Sequence, residues 1–139
     1  MKKVALALFF ILIFCCFISC GNDSSTESSA PSSLWDSATY KESTELGNGE
    51  TQILVDVKAE GKTVTLTINT DKSTLGEALK ELNLIEGENG LYTVVNGITA
   101  DWNIDKSYWS LSVEGKTSMV GADTVELTNG GHYAWEKTK

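Results

Sequence analysis

The sequence predicts an α+β domain in which strands dominate and a single helix packs on one sheet face. Two observations carry this. In several short runs of the second half, apolar residues recur at every second position, the period of a half-buried strand. At one place the spacing changes to three and four, at Leu75, Ala78, Leu79 and Leu82, which is one face of a helix.

The elements follow in order. In the run Gln52 to Ile68, Ile53, Val55 and Val57 alternate with Leu54, Asp56 and Lys58, while Val64, Leu66 and Ile68 alternate with threonines. The intervening Ala-Glu-Gly-Lys contains Gly61, which takes positive φ without strain, so the two strands form a hairpin. Thr74 followed by Glu77 is a capping box that opens a helix from about Thr74 to Asn83; Glu86-Gly-Glu-Asn-Gly90 ends it. Leu91-Tyr-Thr-Val-Val95 is a strand that enters a turn at Asn96-Gly97. Residues 107–116 alternate strictly, with Trp109, Leu111 and Val113 on one side. Residues 123–137 give two short strands around Asn129-Gly130-Gly131, the second with Tyr133 and Trp135 on one side. The order is a β-hairpin, one helix, then three to four strands, and among small α+β folds of that order β-grasp is the expected one. No internal repeat is visible.

The chain upstream reads differently. All three cysteines, Cys15, Cys16 and Cys20, fall within six residues. Lys2 and Lys3 precede an unbroken apolar run from Val4 to Phe14 that continues to Ile18. That run is shorter than the ~20 apolar residues of a spanning helix and ends in small residues, the layout of an export signal. Phe17-Ile18-Ser19-Cys20 followed by Gly21 resembles a bacterial lipobox, with Phe17 in place of the preferred Leu. The expectation is a signal peptide at 1–19 and lipidation of Cys20. Two or more acyl chains hold a protein stably at a bilayer, so the protein is expected outside the cytoplasm, anchored to the cell membrane. Residues 20–50, rich in Ser and Thr and holding the only proline, Pro31, read as a flexible tether. Trp35 and Tyr40 are unusual there, either docked on the domain or a partner, or simply exposed. The folded domain is expected over 51–139, without cysteines and so without disulfides.

The formal charge is −8 with no arginine, which argues against nucleic acid, whose binding rests on phosphate neutralisation. No phosphate-binding glycine loop is present. The one histidine, His132, reads as an exposed strand residue rather than a metal ligand. With so few donors a zinc site is not expected, and Asp101-Trp-Asn-Ile-Asp105 falls short of a calcium loop. No serine has a recognisable catalytic base, so the chain is not expected to be an enzyme and no cofactor is expected. The aromatics are the residues with binding potential. Trp109 is expected in the core, in phase with Leu111 and Val113. Tyr108 faces the other way, toward solvent or a binding surface. Trp102 lies in a loop, as a ligand contact or folded back on the core.

Residues 73–84, 90–100 and 108–116, the Gly121-Ala122-Asp123 step and residues 125–137 together resemble a bacterial family related to the C-terminal domain of transcobalamin and intrinsic factor. The resemblance spans roughly residues 53–137. Glu114 stands where the family often has Asn and Gly131 where it often has Asp, both at turns. The resemblance implies a β-grasp-like domain that binds a soluble ligand, a corrinoid being the specific version, within an exported lipoprotein. Together with the supply of aromatics it points to Trp102, Tyr108 and Trp135 as ligand contacts. The alternative is a module that docks on an envelope protein or glycan without a small-molecule pocket.

Overall fold

The structure, a computed structural model, describes residues 32–139. The expected signal peptide, the expected lipidation site Cys20 and the first part of the expected tether lie outside the described residues. A 3-10 helix at Leu34–Asp36 leads into β1 (Thr44–Gly47), β2 (Thr51–Ala59), β3 (Lys62–Thr70), α1 (Leu75–Glu81), β4 (Ile85–Glu88), β5 (Leu91–Val95), β6 (Ile98–Thr99), β7 (Tyr108–Val113) and β8 (Lys116–Thr117). A second 3-10 turn at Ala122–Thr124 precedes β9 (His132–Thr138). The strands form a six-stranded sheet in the order β1-β3-β2-β9-β7-β8 and a three-stranded sheet in the order β4-β5-β6. Among the described residues the architecture is α+β, mostly strand with one α-helix.

The hairpin of β2 and β3 closes through Glu60 and Gly61, both at positive φ, with Ala59 opposite Lys62. Its alternation places Ile53, Val55, Val57, Val64, Leu66 and Ile68 in the core. The chain then returns along β9, which lies parallel to β2 and antiparallel to β7. α1 begins at a complete capping box. Thr74 Oγ1 accepts from the Glu77 amide and Glu77 Oε2 accepts from the Thr74 amide, each at 3.3 Å, so two of the orphan donors of a helix start are used. Leu75, Ala78 and Leu79 bury the helix face.

Four expectations change. Part of the expected tether is folded. Trp35 is only 6 % exposed, its Nε1 donates to the Ala59 carbonyl at 2.9 Å, and the Lys62 ammonium stands 4.7 Å from its ring centroid. The Tyr40 amide donates to Asn96 Oδ1 and the Tyr40 carbonyl accepts from Asn96 Nδ2, and Thr44–Gly47 adds a parallel strand beside β3. Of the alternatives open for Trp35 and Tyr40, both take the docked one: Trp35 is buried and Tyr40 partly so, and their contacts outweigh the cost of ordering a serine-rich chain around them.

The helix ends at Glu81, because Asn83 takes positive φ and the Leu84 amide bonds back to the Leu79 carbonyl. The expected stop Glu86–Gly90 is then largely strand β4. Residues 123–128 are not a strand. Their carbonyls and amides serve the helix entrance instead: the Leu75 amide donates to the Val125 carbonyl and the Leu127 amide to the Ser73 carbonyl, both at 2.9 Å. Finally, the chain after the helix forms more strands than expected, two of them only two residues long, too short for a periodicity to register.

Candidate functional site

A cleft of about 680 Å³ opens between the start of β5, the loop 100–107, β7 and the segment 117–122, with Trp135 of β9 also in its lining. The strand register builds its base. Leu111 on β7 pairs with Trp135 on β9, so the two side chains share a face. The Tyr92 ring meets Trp135 edge-on at 5.8 Å and 82°. Trp109, two residues from Leu111, is buried and donates from Nε1 to the Ile98 carbonyl at 3.3 Å.

The rim is apolar and open. Trp102 is 58 % exposed and Tyr108 48 %, with ring centroids 6.5 Å apart and planes tilted by 55°. Among the described residues, seven large hydrophobic side chains are exposed. Five of them, Leu91, Trp102, Tyr108, Met119 and Val120, line this one cleft. Their gathering is the informative feature, since a lone exposed apolar residue needs no explanation.

The loop that carries Trp102 is organised by its own carboxylates. Asp101 Oδ1 accepts from the Asn103 amide at 2.7 Å, and the Asp101 carbonyl accepts from the amides of Ile104 and Asp105. Asp105 Oδ1 accepts from the Ser107 amide and hydroxyl, and Asp105 Oδ2 takes the Lys137 ammonium at 2.7 Å. That ammonium, with the Ser107 bonds behind it, holds the Asp105 carboxyl well below the usual carboxylate range. The Lys137 side chain is almost fully covered, so the pair bolts the loop to β9. The Lys106 ammonium stands 5.6 Å from the Trp102 ring centroid, within cation–π range.

A second polar cluster fixes the opposite wall. Asp123 Oδ1 accepts from the Tyr92 hydroxyl at 2.6 Å and from Lys80 Nζ at 2.8 Å. Lys80, then Tyr92, lower the Asp123 carboxyl; burial, then Asp123, raises Tyr92; and Asp123, then Tyr92, raise Lys80. The cluster ties α1, the 3-10 turn and β5 together, and so sets where Tyr92 stands in the cleft.

Trp102, Tyr108 and Trp135 therefore line one concavity, and Trp109 joins them in its lining while remaining in the core cluster. Trp135 is only 3 % exposed, so it forms the base rather than a projecting contact. His132 lies at the start of β9, half-exposed, with Nε2 3.0 Å from Asp56 Oδ2. Tyr92, Leu91, Met119 and Val120 escaped the sequence reading. Leu91 and Tyr92 looked like ordinary strand residues, and Met119-Val120 sit in a stretch with no period. The nearest usable signal was two adjacent apolar residues between a turn and Gly121.

Among the described residues no group of three His, Cys, Asp or Glu side chains is placed to hold a metal ion, and no helix is long and apolar enough to cross a membrane. No curated protein matches the chain. The family model described as domain of unknown function (DUF4430) matches residues 72–139, the part that contains the entire cleft lining. A solved structure from Ruminococcus gnavus ATCC 29149, described as a candidate metal-binding protein, is 26% identical with a TM-score of 0.60, covering 65% of this chain and 98% of that one. Haptocorrin in complex with Cbi is 20% identical with a TM-score of 0.46, covering 68% of this chain and 26% of that one. The chain is thus similar to a family of undescribed role through its cleft-bearing half, and in fold to the Ruminococcus protein.

Proposed function

We propose that the protein binds a flat, largely apolar small molecule in this cleft, with a corrinoid as the specific candidate, and that it does so from a β-grasp-like domain held at the cell membrane by a lipidated Cys20. The observation that carries the reading is the convergence of five of the seven exposed large hydrophobics on one concavity. A volume of about 680 Å³ lies within the ordinary range for small-molecule sites. Thr93, Asn103, Ser110 and Thr117 also line the cleft, residues that carry neutral hydrogen-bonding groups for a ligand's polar edge. The β-grasp part is supported by the hairpin–helix–strand order and by the parallel pairing of the first hairpin strand with the last strand. The corrinoid part is supported by the sequence resemblance around Tyr108-Trp109.

Metal binding, the description of the Ruminococcus protein, is not carried over. The cleft offers one carboxylate, Asp101, and the carboxylates of Asp105 and Asp123 are already committed to lysines. Such a donor set does not fit a metal ion.

The test is a spectral titration of the purified chain with cobalamin and cobinamide. Saturable one-to-one binding is expected, weakened about tenfold in Trp102→Ala, since aromatic anchors in desolvated pockets dominate binding energy. No spectral change at high micromolar ligand removes the corrinoid. The second reading, docking on an envelope protein or glycan, is favoured by Ile104, which is 82 % exposed yet does not line the cleft. It predicts that Ile104→Asp abolishes capture of an envelope partner and leaves small-molecule titrations unchanged.

A further inference from the structure

We propose that the cleft selects hydrophobic cations over anions of the same shape, with Asp101 setting the sign of that choice; the inference rests on the cleft being a small-molecule site. Five aromatic residues line the cleft, and Asp101 is the one formally charged residue in its lining. Aromatic faces attract cations through their quadrupole, and most strongly where water is displaced. A carboxylate beside them reinforces that attraction, whereas an anionic ligand meets the same carboxylate with no cation in the lining to offset it.

The placement of Asp101 makes its charge available. The residue is half-buried at the base of the loop, next to Trp102. Only Oδ1 is engaged, accepting from the Asn103 amide; among the described residues no protein donor reaches Oδ2. The two carboxylates nearest to it are already matched. Asp105 is paired with Lys137, and Asp123 with Lys80 and Tyr92. Lys106 does not line the cleft, but its ammonium lies over Trp102, so this ring already holds a cation from its own loop. A ligand cation seated on Trp102 would compete with that ammonium.

The probes are three pyrenes that share one ring system and differ in a small substituent: 1-pyrenemethylammonium, 1-pyrenemethanol and 1-pyrenecarboxylate, titrated into the purified chain at about 0.15 M salt, where the long-range field of the acidic chain is screened beyond ~8 Å. The cation is expected to bind about tenfold more tightly than the anion, with the alcohol between them. Asp101→Asn keeps the acceptor for the Asn103 amide and removes the charge. It should bring cation and anion to within about threefold of each other, with the alcohol's affinity changing less than that of either ion. Lys106→Ala should tighten the cation by removing its competitor. The proposal is overturned if the anion binds as well as the cation, if Asp101→Asn leaves their ratio unaltered, or if Lys106→Ala weakens the anion alone, which would make Lys106 the charge that matters. Binding of the alcohol without charge preference overturns this inference and leaves the small-molecule reading standing; no binding by any of the three takes both down.

Discussion

Asn96 shows how much one residue can do that a turn motif does not disclose. Asn96-Gly97 was legible as a turn, and both residues do take positive φ. Asn96 is also fully buried. Its side chain holds both the amide and the carbonyl of Tyr40, its own carbonyl accepts from the Thr39 amide, and its amide donates to the Leu84 carbonyl. Gly97 is required beside it, because a Cβ there would stand 2.6 Å from the Ser37 carbonyl oxygen. The turn is therefore the seat on which the segment around Trp35 and Tyr40 docks. Asn96→Ala should destabilise the protein by about 2 kcal/mol, roughly one for each lost side-chain bond to a buried peptide group. Urea unfolding should show that loss, and hydrogen exchange should show faster amides at residues 34–40 than elsewhere. Unchanged exchange there would mean the segment is held by Trp35 alone.

At the scale of elements, what the sequence disclosed was whatever had a period longer than a turn. The β2–β3 hairpin, the capped helix and β7 each carry alternation or a face over six or more residues, and each forms within the stretch the pattern marks, the helix and β7 ending short of it. β1, β6 and β8 are four residues or fewer; no pattern can be read from so short a run. The residues 123–128 misled for a different reason. Their alternation is real, but the helix entrance needs partners for its first amides, and that stretch supplies one to Leu75. The cleft was half legible. Trp102, Tyr108 and Trp135 were singled out as aromatics without a compulsory core role, and they line one concavity. Leu91, Tyr92, Met119 and Val120 complete it only because the three-stranded sheet and the 117–122 segment fold over the end of β7, a relation between distant segments that no local pattern encodes.

For the whole molecule, two ion pairs brace the cleft, and acid should undo both. Asp105 is lowered by Lys137 and then by Ser107, Asp123 by Lys80 and then by Tyr92. A carboxylate whose folded pKa lies below its ordinary value of 3.8 contributes stability that is complete above that value and is lost as pH falls through the depressed one. Thermal unfolding should therefore be nearly constant from about pH 7 to about pH 4.5 and fall steadily below about pH 4. Asp105→Asn should flatten that fall, since the group that would be protonated is already neutral. A wild-type profile that declines from pH 6 would show that other groups control acid stability.

A small molecule seated in the space walled by Trp102, Tyr108 and Trp135 would meet some of the protein's indoles and not others. The chain carries four tryptophans, and they form an internal control: Trp102, Trp109 and Trp135 line the cleft, whereas Trp35 packs against the β2–β3 hairpin. The most direct measurement follows the four indole N–H resonances by ¹H–¹⁵N NMR while cobinamide or 1-pyrenemethanol is added. Saturable shifts of Trp102 and Trp135 are expected, with a smaller shift of Trp109 and a stationary Trp35. Four unmoved resonances, or a Trp35 that shifts as far as Trp102, would contradict binding in this cleft.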